Sequence, residues 1–309
     1  MGNPFWLYVA LAVTLVVSIF VDFIGHKEGK EQTLASSVVW SLFWIAAAVT
    51  LGGYIYLVYG STAASEYFSG YAMEKALSID NLMVFVAIFS FFGIKDSYRK
   101  HKILLWGIAG ALVFRAIFVA LGTTLFHLHW SVEVIFGLLV IFSAYALVKG
   151  GDDEEEENYN EKPYIRLVRK FYPVDSDSNS SRFFTVNNGV RYVTPMFLCL
   201  LTVELSDIMF SFDSVPAVIG ITKEPPLVYA AMIMAILGLR ALFFVLGWMM
   251  KHLTRLDAFV ALILVFVGVK LVGHPFGLEI GATQSLYVVL GLLLAGVLVS
   301  LVLPKKEND

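Results

Sequence analysis

Long apolar runs separated by short polar breaks make up most of this chain. Nine runs read as membrane-crossing helices: 5–24, 35–58, 70–92, 103–123, 131–148, 194–220, 227–250, 257–273 and 284–303. About twenty apolar residues in a helix cross a hydrocarbon core about 30 Å thick. The pattern predicts an all-α polytopic membrane protein of about nine transmembrane helices. The one sizeable polar interval is 150–193, a loop that divides the runs. Residues 1–60 then carry two helices, 61–149 a three-helix unit, 194–275 a second three-helix unit, and 276–309 a last helix with a short tail.

Composition and charge sharpen this picture. Of 309 residues, 58% are hydrophobic and 15% charged, against about 25% charged in soluble domains. Lys and Arg fall on one side of the predicted bundle. The segments after the first, third, fifth, seventh and ninth runs hold seventeen, and all the other segments hold Lys223 alone. Basic loops stay in the cytoplasm, which puts the N-terminus outside and the C-terminus inside. The first run has no basic stretch before it and no small-residue cleavage site after it, and reads as a retained anchor. The cytoplasmic loop opens with Asp152–Glu157, all acids, and continues with Arg166, Arg169 and Lys170. It reads as a solvated linker that touches the lipid headgroups. Cys199, the single cysteine, excludes an internal disulfide or a thiolate cluster, and the six histidines form no zinc pattern.

Charged positions recur between the two three-helix units. Glu74, Ser78, Asp80 and Asn81 match Asp207, Ser211, Asp213 and Ser214 in spacing, and the run from Arg115 to Gly122 matches that from Arg240 to Gly247. Three is an odd number of crossings, so the second copy enters the membrane from the opposite side. Inverted repeats of this kind place a substrate at the midplane, where the copies meet.

Carboxylates at that depth cost roughly 2.5–3.5 kcal/mol each on insertion scales and call for a cation, a proton or a hydrogen-bond donor. The interior holds Glu74, Asp80, Glu204, Asp207 and Asp213 against Arg115 and Arg240, with Lys75 and Lys270 near span ends where they could snorkel. The arginines need buried carboxylate partners, with Glu74, Glu204 and Asp207 as candidates, which leaves acid to spare. Glu204, Asp207, Ser211 and Ser214 share one helical face. Pro216 removes the backbone bond to Phe212, so a kink would free the Phe212 carbonyl beside Asp213. The candidate metal ligands are therefore Asp80, Asp213, Asn81, Glu74, Asp207, Ser214 and the Phe212 carbonyl. Hard oxygen donors suit Mg²⁺, Ca²⁺ and Mn²⁺, and a thioether from Met73, Met83 or Met209 would favour Mn²⁺.

The motifs E-K-A-L-S-I-D-N (Glu74–Asn81) and E-L-S-D-I-M-F-S-F-D-S-V-P-A (Glu204–Ala217) resemble the signatures of the TerC family of integral membrane proteins. The two added N-terminal runs and the long middle loop make the chain similar to the Alx-type members. The resemblance implies Mn²⁺ export from the bacterial cytoplasm across the inner membrane, with functional positions at Glu74, Asp80, Asn81, Glu204, Asp207, Asp213 and Ser214. On this reading the chain is a secondary transporter and not an enzyme, with Mn²⁺ as cargo, H⁺ as counter-ion and the lipid bilayer as surroundings. Nothing in it points to nucleic acid, and it sets no oligomeric state. Exchange of Ca²⁺ or another cation for protons on the same scaffold is the alternative, as is a non-transport scaffold linked to tellurite resistance. An intramembrane aspartyl protease built on Asp80 and Asp213 lacks the expected G-x-G-D pattern.

Overall fold

The structure is a computed structural model that describes residues 4–25, 34–150, 163–175, 181–187, 189–239, 241–243, 245 and 256–302. Within these, the side chains of Asp80, Met83 and Asp213 lie outside the described set, as does all of Arg240.

Nine α-helices are described: α1 (Phe5–Gly25), α2 (Leu34–Phe91), α3 (Ser97–Leu128), α4 (Trp130–Gly150), α5 (Pro163–Phe171), α6 (Pro195–Ile221), α7 (Pro225–Leu237), α8 (Leu256–Gly273) and α9 (Ala282–Val302). A short antiparallel hairpin, β1 (Phe184–Asn187) and β2 (Val190–Val193), pairs Phe184 with Val193 ahead of α6. Helices α2, α3, α6, α8 and α9 are long and apolar enough to cross a membrane, and 5–18, 130–145 and 225–237 are shorter apolar helices. The protein is an all-α, multi-pass membrane protein.

The 58 residues of α2 would run about 87 Å if straight, far more than a bilayer needs. Gly60 interrupts them with φ 90° and ψ 176°, a backbone open essentially to glycine alone. The chain therefore turns back, and the segments 34–59 and 61–91 pack together. The Tyr67 hydroxyl donates to the Ala48 carbonyl at 2.9 Å, and the Phe68 ring lies over Gly52. The second segment starts well before residue 70, where its apolar run begins. Its first turns are polar, and Ser69 folds its hydroxyl onto the Ser65 carbonyl at 2.7 Å, which an apolar window cannot register.

Small residues let the other helices approach, as membrane packing favours. In the crossing of α4 and α8, a Cβ on Gly137 or on Gly268 would lie 2.8 Å from the other's carbonyl oxygen. A Cβ at Gly107 of α3 would lie 3.3 Å from Val203 of α6, and one at Gly70 of α2 would lie 3.2 Å from Ala231 of α7. Thus α3 packs on α6 as α2 packs on α7. Helix α6 is α-helical from Pro195 to Ile221, with Pro216 inside it. Val215 and Ala217–Ile219, on either side of the proline, are all buried.

Polar caps fix where α3 and α6 begin. Asp96 accepts from the Arg99 amide at 2.9 Å, and the Thr194 hydroxyl accepts from the Phe197 amide while donating to the Arg182 carbonyl at 2.7 Å. Lys102 donates to the Ser181 carbonyl at 3.0 Å. Both helices therefore start at the same end of the bundle, beside the hairpin.

Candidate functional site

The buried centre is a three-residue ion cluster drawn from three helices. Glu74 comes from the second segment of α2, Arg115 from α3 and Asp207 from α6. Their exposures are 0%, 2% and 4%. Arg115 donates from Nη2 to Asp207 Oδ1 at 3.0 Å and from Nε to Oδ2 at 3.4 Å, and its Nη1 pairs with Glu74 Oε1. Glu74 and Asp207 are the matched positions of the two sequence copies, and both carboxylates meet one guanidinium. A fork of fixed donors suits two planar acids better than a lysine's point charge would. Two carboxylates against one guanidinium leave the trio one negative charge in excess when all are ionised, in surroundings where charge is poorly screened.

Other matched positions also make matched bonds. Ser78 donates to the Glu74 carbonyl at 2.7 Å, and Ser211 donates to the Asp207 carbonyl at 2.8 Å. One pair of turns earlier, Ser69 bonds Ser65 at 2.7 Å and Thr202 bonds Leu198 at 2.8 Å. All four hydroxyl residues are fully buried. Each hydroxyl takes a backbone carbonyl of its own helix, the arrangement that lets Ser and Thr enter an apolar interior.

Glu204 lies one turn before Asp207 and is half-buried. Its carboxylate sits directly over Gly110 of α3, where a Cβ has no room, and its buried Oε2 has no described hydrogen-bond partner. Of the three acids expected to pair with arginine, Arg115 takes Glu74 and Asp207. Asn81 is buried, as is Ser214, whose Oγ also has no described partner. Met73 is fully buried, whereas Met209 is 71% exposed and Phe212 turns its ring outward against Phe118, with centroids 4.9 Å apart. The exposed Met209 thus stands apart from the buried trio. The expected convergence of Asp80, Asp213, Met83 and Arg240 falls outside the described residues.

A small, mostly apolar cleft borders Asp207 of this centre. Leu82, Phe85, Leu104, Ile108 and Val203 line it, with Asp207 as its charged residue. These residues belong to the half of the bundle where α3 and α6 begin. At the opposite end, Glu133 in the first turn of α4 bonds Lys223 at 2.8 Å through Oε1 and lies 2.8 Å from His274 Nδ1 through Oε2. Thr222 donates to Glu66 at 2.6 Å, and Lys270 reaches the Ile221 carbonyl at 3.3 Å and Ser285 at 3.1 Å. Lys75 does not snorkel. Its ammonium is turned inward to the Ala235 carbonyl of α7 at 3.0 Å.

The Glu133 cluster was missing from the sequence reading. Its signal was Lys223 itself, a lone lysine among segments otherwise without basic residues. Gly110 gave no signal, because a glycine required by a neighbour's carboxylate looks like any other helical glycine.

Residues 59–308 match the model of the integral membrane protein TerC family. The chain is 42% identical to a tellurium resistance protein TerC of Serratia marcescens over 100% of its own length and 97% of that protein's. It is 37% identical to a chloroplastic thylakoid membrane protein TERC of Arabidopsis thaliana, covering 96% and 77% of the two chains. An uncharacterized membrane protein of Myxococcus xanthus is 34% identical over 97% and 93%. No solved structure matches.

Proposed function

The chain belongs to the TerC family of integral membrane proteins, and from that premise we propose that it is a secondary transporter exporting Mn²⁺ from the bacterial cytoplasm. The supporting observation is the meeting of Glu74 and Asp207, one from each sequence copy, on Arg115, with Asp207 also lining a small cleft. On this reading nine spans cross the inner membrane, and two three-helix units form an inverted repeat. The matched hydroxyl bonds of Ser69 and Thr202, and of Ser78 and Ser211, support that relation.

The distribution of Lys and Arg directs the cleft toward the cytoplasm and puts the Glu133 cluster on the outer side. The cargo enters the cleft, passes the apolar lining and reaches oxygen donors where the copies meet. On this reading Asp80 and Asp213 supply the principal carboxylates, and Asn81, Ser214 and the Phe212 carbonyl are the further oxygen donors. The excess acid around Arg115 attracts the dication electrostatically. Protons take its place on the return stroke, since crowded empty carboxylates bind protons. On the outer side, Glu133 ties α4 of the first unit to Lys223 and His274 of the second. Those pairs must part for release, so they form the outer gate.

Cellular manganese tests the proposal. Cells making the unsubstituted chain should hold less than cells making Asp213→Asn, and equal contents would refute the site. Inverted vesicles should take up ⁵⁴Mn in response to an imposed pH gradient, and indifference to the gradient would remove proton antiport. An excess of Ca²⁺ that abolished the uptake would favour the broader cation exchanger.

The tellurium resistance name of the Serratia relative favours a second reading, a membrane scaffold that acts through its loop. Deleting 152–157 would then abolish tellurite resistance while Asp80→Asn left it intact. The transporter reading expects the reverse.

A further inference from the structure

The loop contributes a short helix whose chemistry the transport reading leaves unused. In α5, Ile165 is fully buried, and Tyr164 and Val168 are turned partly inward. Leu167 and Phe171, one turn apart, are 56% and 69% exposed. Arg166 and Lys170 share the same one-turn spacing on the adjacent strip, and all three basic residues, Arg169 included, are exposed. The outward face of α5 thus pairs an apolar strip with a cationic one. Asp175 is the one acid described in 163–175, and its carboxylate already accepts from the Thr185 hydroxyl at 2.7 Å.

Backbone bonds fix where this helix lies. Val193 donates to the Pro173 carbonyl at 3.0 Å, and the Asp175 amide donates to the Val193 carbonyl at 2.8 Å. Thr194 caps α6 immediately afterwards. The end of α5 is therefore pinned beside the start of a membrane-crossing helix, at the level of the headgroups. A helix with separate apolar and basic strips at that level lies in the interface plane, its apolar residues between the headgroups and its cations on the anionic lipids.

We infer that α5 is a lipid-docking helix: Leu167 and Phe171 insert into the leaflet at that end of the bundle, and Arg166, Arg169 and Lys170 bind its anionic headgroups. Charge complementarity selects anionic over zwitterionic lipid. Each basic side chain near such a surface is worth about 1 kcal/mol, a factor of roughly five in the ratio of docked to undocked helix, so three give roughly a hundredfold.

The test uses the full chain with Cys199→Ser and Phe171→Cys, a bimane label on the new thiol, and nanodiscs containing spin-labelled lipid. In discs of phosphatidylcholine mixed with phosphatidylglycerol, the label should be strongly quenched. Quenching should fall in phosphatidylcholine alone and in the triple variant Arg166→Gln, Arg169→Gln, Lys170→Gln, whose docked ratio drops roughly a hundredfold. High salt on the chain with its basic residues intact makes the same test without that triple change, since screening shortens the reach of surface charge. An unquenched label in anionic discs would overturn the inference, as would quenching that the triple variant and salt left unchanged. A label equally shielded in detergent, and exposed only on deletion of 152–157, would overturn it by making the acidic tract the occupant.

Discussion

Arg115 Nη2 lies 3.0 Å from Asp207 Oδ1 while the same guanidinium pairs with Glu74. Equivalent acids of two sequence copies therefore share one counter-ion, and α2, α3 and α6 are joined at their buried centre. Removing the cation strands two carboxylates at a cost of roughly 3–5 kcal/mol. Arg115→Gln should lower the thermal midpoint of the purified protein markedly. The double variant Arg115→Gln, Glu74→Gln should recover part of the loss, because one stranded charge is gone. Additive losses in that cycle would mean that Glu74 and Arg115 do not act together.

Gly110 faces the Glu204 carboxylate with no room for a Cβ. Gly110→Ala should therefore push α3 from α6 or turn Glu204 aside, at a cost of about 1–3 kcal/mol. Glu204→Ala in the same chain should remove most of that penalty. Thermal unfolding of the single and double variants checks this, and a Gly110→Ala variant as stable as the parent would refute the close approach.

The apolar helices and the recurring acids are legible in the sequence because apolar length and charge spacing carry them directly. The hairpin within α2 was half legible. Gly60 lies in the expected break, but Ser61, Thr62, Ser65, Glu66 and Ser69 weaken the apolar signal of the second segment's first turns, where Ser69 gives its hydroxyl to the Ser65 carbonyl. The partners of Arg115 were open among three acids, since a helical wheel gives the face of a side chain and not its reach across to another helix. The inward turn of Lys75 was invisible for the same reason. Its acceptor, the Ala235 carbonyl, is a backbone group on a helix far along the chain.

Glu133 holds Lys223 and His274 together at the end opposite the cleft. Glu133→Gln should loosen that end while leaving the buried trio intact. A cysteine introduced by Ile219→Cys, at a position fully buried beside Gly122, reports the change when Cys199 is replaced by Ser. Its labelling by a membrane-impermeant maleimide from outside should speed up several-fold in the Glu133→Gln chain. Unchanged labelling would remove the outer-gate role.

Thr194 both caps α6 and holds the Arg182 carbonyl. Thr194→Ala should cost about 1 kcal/mol, localised to the hairpin and the first turn of α6. Hydrogen exchange should quicken in 184–197 and not in α8, and a uniform change would contradict a local cap.

Ser214 separates a ligand from an ordinary buried hydroxyl. Its Oγ is buried without a described partner, and such a group carries a desolvation penalty of about 1–3 kcal/mol. If the hydroxyl serves no cargo, Ser214→Ala removes the penalty, and the protein gains stability with transport unchanged. If it completes the oxygen shell around Mn²⁺, the same substitution raises the thermal midpoint of the metal-free protein but weakens Mn²⁺ binding. The two effects have opposite signs, so misfolding cannot imitate the second outcome. Thermal midpoints with and without Mn²⁺ measure both on one sample. A metal-induced rise equal in Ser214→Ala and in the parent would take Ser214 out of the site.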